Sequence, residues 1–577
     1  MAELDYNKGK NCSDIITSEE YIDIYHIPTP QENIEDVARQ MGAECIQPIS
    51  ATDYILHIKV APEDLEDFYR SIEYLVIPNI YGLGSTSALS ASGILPTLKS
   101  PELNITGKNV IIGVIDTGID YTHEAFIYED YTSKILSLWD QEGKGTPPKG
   151  FLYGTEYTNE QITEAFLSDD PYAIVPSTDS VGHGTYIAGI AAGRPNERLD
   201  FQGVAPDADL VVVKVKQAKK SIIDFFQVKE DVVAFQSNDV VQAVNYVFEK
   251  AREFKKPLII LFTGASTEGP HNGAIYLEEQ LAAKGDVYGT IAVVGAGNEA
   301  NAAHHYHGQF RNGESKIQVP LIVSEKDRGL FFNMWCSLPD ELTIELVSPQ
   351  GYSTGKIPIK SLQWQRLSTP LETTIINVFY EFIEIRGGEE AIYVRMLHPS
   401  PGIWNIIVHG DSITTGRFNI WLPIRGFIDD KTIFLEPSPN ITIVNPAANI
   451  GTLTVGAYNE IYDSIYLPSS RGYTANNQVK PNIVAPGVNV LGPIPDNKYE
   501  VKSGTSASTA IAAGASALFT EWAVLKGNDP TLNTYKLTAY LARGANRKKN
   551  ITYPNKEWGY GSLDLFNTFK VLQGKYE

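Results

Sequence analysis

The chain has 577 residues, 43% of them hydrophobic and 20% charged, and a formal net charge of −22. That length can bury a large core and implies more than one domain, while the acidic balance argues against nucleic acid or anionic lipid as a natural partner. The three cysteines, Cys12, Cys45 and Cys336, are far apart and form no CxxC pair, so free thiols are expected in place of a disulfide framework or a zinc site. No apolar run approaches the roughly 18 residues of a membrane span. The opening residues Met1 to Lys8 lack the apolar core of a secretory signal peptide. Cytoplasmic synthesis is expected, with no membrane partner.

Taken in order, residues 20–90 read as a small α+β unit. Tyr21–Ile27 and Tyr54–Val60 alternate like strands, and Pro30–Met41 and Pro62–Leu75 carry apolar residues at helical spacing. Ser85–Lys99, rich in Ser, Gly and Thr, reads as an exposed linker. From Asn109 the near-continuous apolar runs Val110–Ile115, Leu210–Val215, Pro257–Phe262 and Thr290–Val294 alternate with helical patterns at Asp239–Arg252 and Gly273–Lys284. Strands covered by helices on both faces have this texture, which predicts an α/β fold with a doubly wound parallel sheet. Between His307 and Pro437 the texture changes to many short β-patterned runs separated by turns, among them Lys316–Val323, Leu342–Val347 and Arg417–Leu422. That predicts an inserted all-β jelly roll. The domains are therefore expected at 1–96, 97–307, 308–437 and 438–577.

Three separated segments carry candidate chemistry. Asp116 ends an apolar strand in Asp116-Thr117-Gly118, where a carboxylate projects from the carboxyl edge of the sheet. His183 stands between two glycines in Gly182-His183-Gly184-Thr185, ahead of a small-residue helix. Ser506, in Ser503-Gly504-Thr505-Ser506-Ala507, begins another such helix, whose free N–H groups suit a developing oxyanion. A carboxylate can hold the imidazole in one tautomer, and the imidazole can take the serine proton. Asn298 follows the strand-like run ending Gly295-Ala296-Gly297, where its amide could donate to the same oxyanion. Losing such a donor typically costs roughly 100- to 1000-fold in turnover.

The order Asp, His, Ser, together with Gly203-Val204-Ala205-Pro206 and Ala485-Pro486-Gly487, resembles the subtilisin-like serine proteases, peptidase family S8. The resemblance implies an endopeptidase with Asp116, His183 and Ser506 catalytic and Asn298 in the oxyanion hole. It also implies that Thr263, Gly264, Ala265 and Gly297 bind substrate. Ile80-Tyr81-Gly82-Leu83-Gly84, Ser90-Ala91-Ser92-Gly93-Ile94, the β insertion and Trp558-Gly559-Tyr560-Gly561-Ser562-Leu563-Asp564 are similar to the Csp germination proteases of clostridial spores. Members of that group pair a prodomain, a subtilase domain and a jelly roll, and process the precursor of a cortex-lytic hydrolase. The resemblance implies a protein or peptide substrate and a prodomain acting as bound inhibitor and chaperone. It also implies self-cleavage near residues 92–98 and packaging in the spore.

Two departures bear on substrate choice. Thr263-Gly264-Ala265 stands where subtilases usually have Ser-Leu-Gly or Ser-Phe-Gly, which suggests a small S1 pocket, and Ala510 replaces a usual proline after the serine. A catalytically silent binding or signalling module and a general intracellular turnover protease are the alternative readings. No cofactor is expected; subtilases often bind calcium, but no Asp-rich loop here has the oxygen-cage pattern. His304, His305 and His307 read as a polar surface loop and not a metal site, and the basic run Lys214–Lys220 as a solvated face.

Overall fold

A computed structural model describes residues 5–574 except 29–31, 50–52, 73–75, 79, 82–89, 361, 371 and 384–387. Seven strands run parallel at its centre. In spatial order they are Ile135–Asp140, Asp209–Lys214, Ile111–Asp116, Leu258–Phe262, Thr290–Gly295, Leu453–Asn459 and Ile483–Pro486. The antiparallel strands Thr155–Thr158 and Ser464–Ile465 pair at its two sides. Alternation explains why the strands read as unbroken apolar runs. Ile112 and Val114 face the core that contains helices His183–Ala192 and Thr505–Thr520, whereas Ile111 and Ile115 face the core containing Ser237–Phe254. Both faces are covered, so both must be apolar.

The helix Thr505–Thr520, with its continuation to Leu525, is long and apolar enough in composition to cross a membrane, contrary to the expectation that no segment would be. Its apolar stretch is 83% buried inside the protein, so it is a core helix. Small residues make that possible. A Cβ on Gly514 would collide with the side chain of Val204, so the helix approaches its neighbours closely only because the position is bare.

The N-terminal unit is a three-stranded antiparallel sheet in the order Tyr21–His26, Tyr54–Lys59, Ala43–Pro48, with helices Ile34–Met41 and Leu65–Ser71. Glu44 and Gln47 interrupt the apolar pattern of Ala43–Pro48, which is why the sequence does not announce that strand. The unit sits on the long helix through hydrogen bonds from Gln242 to the Pro48 carbonyl and from Asn245 to the Ile49 carbonyl.

At the same junction the fully buried Asp23 carboxylate accepts from Lys219 Nζ at 2.6 Å, His57 Nδ1 at 2.8 Å, Gln236 Nε2 at 3.0 Å and Asn238 Nδ2 at 3.2 Å. Burial pushes the Asp23 carboxyl up, but Lys219 and His57 outweigh it and hold the group well below the usual carboxylate range. Of the lysines in the basic run only Lys220 lies on a solvated face, and Lys214, Lys216 and Lys219 do not. Lys214 pairs with Asp140 and Glu142, Lys216 with Asp239 at 2.7 Å, and Lys219 with Asp23. Only acids supplied by distant segments make this burial tolerable, and a local reading of charge cannot see them.

Three further expectations need correction. Cys12 and Cys45 are bonded as a disulfide, leaving Cys336 free and buried; helix Cys12–Thr17 packs on strand Ala43–Pro48 and brings the two together. Of the linker Ser85–Lys99, residues 85–89 lie outside the described residues. Ser90–Ser92 forms a turn of 3-10 helix, and Ile94–Leu98 an α-helix packed on Leu565–Leu572, with Ile94 and Thr97 buried. Residues 90–98 are thus folded and packed, not an exposed linker. His304 and His305 are buried, not a surface loop, because His305–Gln309 is a strand of the insertion.

The insertion is a two-sheet sandwich. Six strands run in the order His305–Gln309, Arg417–Trp421, Gly329–Ser337, Glu389–Leu397, Ile375–Ile383, Gln365–Ser368, and four in the order Glu341–Val347, Gly402–Ser412, Lys316–Val323, Ile433–Phe434. The outer face of the six-stranded sheet shares a core with the α/β body and the N-terminal unit. Phe225, from helix Lys220–Phe225, contacts Tyr69 on one side and Phe331 on the other.

Candidate active site

Strand Ile111–Asp116 delivers Asp116 to the carboxyl edge of the sheet, where its carboxylate is 1% exposed. One oxygen, Oδ1, accepts from Thr117 N and from His183 Nδ1, each at 2.8 Å. The other, Oδ2, accepts from Thr263 Oγ1 at 3.0 Å. With Nδ1–H engaged by the carboxylate, the lone pair of His183 lies on Nε2, where a base must carry it.

His183 is the first residue of its helix and follows Gly182, whose φ is +80°. Gly184 permits the approach that brings ring and carboxylate together, since a Cβ there would run into the carbonyl oxygen of Gly118. Ser506 is the second residue of helix Thr505–Thr520 and is buried. Asn298 comes after strand Thr290–Gly295, and its Oδ1 accepts from Thr505 N at 3.1 Å. That bond orients the amide, directing its N–H donors away from Thr505. Gly297 precedes it at φ +96°, and a Cβ there would collide with Val444. The structure therefore brings Asn298 to the serine helix and His183 to Asp116.

Thr263, expected on the substrate-pairing segment, directs its side-chain hydroxyl to Asp116. Ala265 is buried in the core shared with the insertion. Just beyond it, Ser266 exchanges two backbone hydrogen bonds with Asn445, at 3.0 and 2.8 Å, so this segment is fixed. Sequence reasoning missed Asp179. This 3%-exposed carboxylate accepts from Thr117 Oγ1, Gly182 N, Thr185 N and Thr185 Oγ1, at 2.8, 2.8, 2.8 and 2.7 Å. An acid three residues ahead of the Gly-His-Gly-Thr segment was the available signal. Among the described residues no cluster of His, Cys, Asp and Glu is arranged to hold a metal ion.

The pattern of the subtilase family matches residues 107–324 and 435–561, passing over most of the sandwich. The CspB protease of Clostridium perfringens has a solved structure similar to this one, with a TM-score of 0.75 and 30% identity. The similarity covers 84% of this chain and 97% of that one. C5a peptidase of Streptococcus pyogenes serotype M6 is 23% identical over 443 residues, 71% of this chain. This chain spans about a third of that relative's length, 34%. The major intracellular serine protease of Bacillus subtilis is 27% identical over 212 residues, 36% of this chain and 49% of that protein. The family pattern takes in more than half of the sequence on both sides of the insertion, and on that ground the chain belongs to the subtilase family of serine peptidases.

Proposed function

We propose that the chain is an active serine endopeptidase. His183 Nε2 takes the proton of Ser506 Oγ as the oxygen attacks a peptide carbonyl, and Asp116 stabilises the imidazolium that forms. Asn298 and the Ser506 N–H hold the oxyanion; the imidazolium then protonates the leaving amine, and water resolves the acyl-enzyme. The observation that carries this reading is the buried 2.8 Å bond from His183 Nδ1 to Asp116, beside a serine helix already tied to Asn298.

The N-terminal unit acts as prodomain, chaperone and inhibitor. Ile80–Tyr81 pairs antiparallel with Phe235–Gln236, and Ala234 bonds back to Ala218, on the stretch that continues from Lys214 beside Asp116. Ser90–Ser92 and Ile94–Leu98 are folded on the far side, so self-cleavage is assigned to residues 82–89, which lie outside the described residues. The likeness to CspB supports a dedicated role, the activation of a protein substrate such as a cortex-lytic hydrolase precursor in spore germination, by an enzyme made in the cytoplasm and packaged in the spore.

Intact mass and N-terminal sequencing of wild type beside Ser506→Ala test this reading. Wild type should split within residues 82–89 and the variant stay whole. Two whole proteins would favour the catalytically silent alternative, and identical splitting would assign the cut to another protease.

A further inference from the structure

Thr117 Oγ1 lies between two carboxylates, 2.8 Å from Asp179 Oδ1 and 3.2 Å from Asp116 Oδ1, while it accepts from Gly184 N at 2.9 Å. A hydroxyl has one proton to donate, so only one of the two acids can receive it. The shorter contact goes to Asp179. That acid also grips both ends of the turn carrying His183, through Gly182 N on one side and Thr185 N and Oγ1 on the other. It is buried and has no role in the bond-making steps.

Resting on the reading of His183 as the base, we propose that Asp179 is a positioning residue with two effects. It draws the Thr117 hydroxyl proton away from Asp116, and it clamps the Gly182–Thr185 turn so that the imidazole meets the Asp116 carboxylate squarely. Asp116 Oδ1 is then left with the Thr117 N–H and the histidine alone, and more of its charge remains for the imidazolium. Without Asp179 the hydroxyl swings to Asp116 Oδ1, and both the lost negative charge and the new hydrogen bond make His183 a weaker base. Other charged groups flank this helix start. Asp120 is tied to it by its backbone N–H on Thr185 Oγ1, and Lys502 lies 5.5 Å from the Tyr186 ring. Lys214 packs its alkyl chain at Gly118, with its ammonium drawn off by Asp140 and Glu142.

The test is the rate at which a fluorophosphonate labels the full chain, followed from pH 5 to 9 in wild type, Asp179→Asn, Thr117→Val and the double variant. Asp179→Asn should slow labelling about tenfold or more and move the acid limb to lower pH by about half a unit. In the Thr117→Val background the movement should shrink to the part that the lost charge alone causes, because the hydroxyl route is closed. Thr117→Val alone should leave the acid limb where wild type has it; this arm stands even if Asp179→Asn does not fold. A limb that moves to higher pH in Thr117→Val means the proton was on Asp116 and overturns the proposal. So does an Asp179→Asn protein of native stability whose limb does not move, or one whose limb moves equally in both backgrounds. A wild type that never labels overturns the catalytic reading itself, and this inference with it.

Discussion

Replacing Thr263 with valine removes one hydroxyl and leaves the volume unchanged. In the native structure that hydroxyl is the donor to Asp116 Oδ2, at 3.0 Å, while Oδ1 is served by Thr117 N and His183 Nδ1. At 1% exposure the carboxylate has no bulk water to turn to. A hydrogen bond to a charged group contributes about 1.5–3 kcal/mol, and a buried acceptor left without its donor forfeits that amount. Thr263→Val should lose about that much unfolding free energy. As the carboxylate rotates to recover a donor it leaves the His183 axis, and kcat should fall roughly 10- to 100-fold at about 1.4 kcal/mol per decade. KM should not change, and Thr263→Ser should restore most of the rate. The assay is kcat and KM on a fluorogenic peptide spanning Ile80–Leu89, beside a urea melt. A raised KM with kcat intact would refute this reasoning and return Thr263 to the substrate pocket.

Three other outcomes follow from the same structure. Asp23→Ala leaves Lys219 buried without its carboxylate, and breaking such a pair costs about 3–5 kcal/mol; the urea midpoint of the full chain should drop accordingly, and an unchanged midpoint would contradict the docking described for the N-terminal unit. His271 stacks on Trp421, with ring centroids 4.1 Å apart, and burial pushes its imidazole down to about 4, although the carbonyls of Ile443 and Thr267 pull the other way. The unfolded chain therefore binds the extra proton first, so stability is full above pH 6.5 and falls toward pH 4 by up to about 3 kcal/mol. The melting temperature should show that fall, and His271→Gln should flatten it; an equal slope in the variant would assign it elsewhere. Thiol titration in denaturant without reductant should find one thiol per chain, that of Cys336, and three such thiols would refute the Cys12–Cys45 bond.

The doubly wound sheet was legible because its strands are buried on both faces and because Gly-containing segments end two of them, at Thr117-Gly118 and Gly295–Gly297. The strands of the sandwich were legible for a related reason, alternation between turns. What stayed hidden depends on partners distant in sequence. Lys216 and Lys219 look solvated until Asp239 and Asp23 close on them, and Cys12 meets Cys45 only through the packing of a short helix on a strand. Residues 90–98 have the composition of a linker, but two buried side chains on a single turn and a half of helix are too weak a period to read. Within the candidate site, Asp116, His183, Ser506 and Asn298 stand in recognisable turns, whereas Asp179 and the task of Thr263 emerge only from the hydrogen-bond geometry.

The central claim is that Ser506 is a live nucleophile. Its most direct test is fluorophosphonate labelling of the purified full chain, with the adduct located by peptide mass spectrometry. The account predicts one adduct, on Ser506, lost in His183→Ala and slowed in Asn298→Ala. A folded wild type that takes no adduct, or takes it on another residue while Ser506 stays bare, would contradict it.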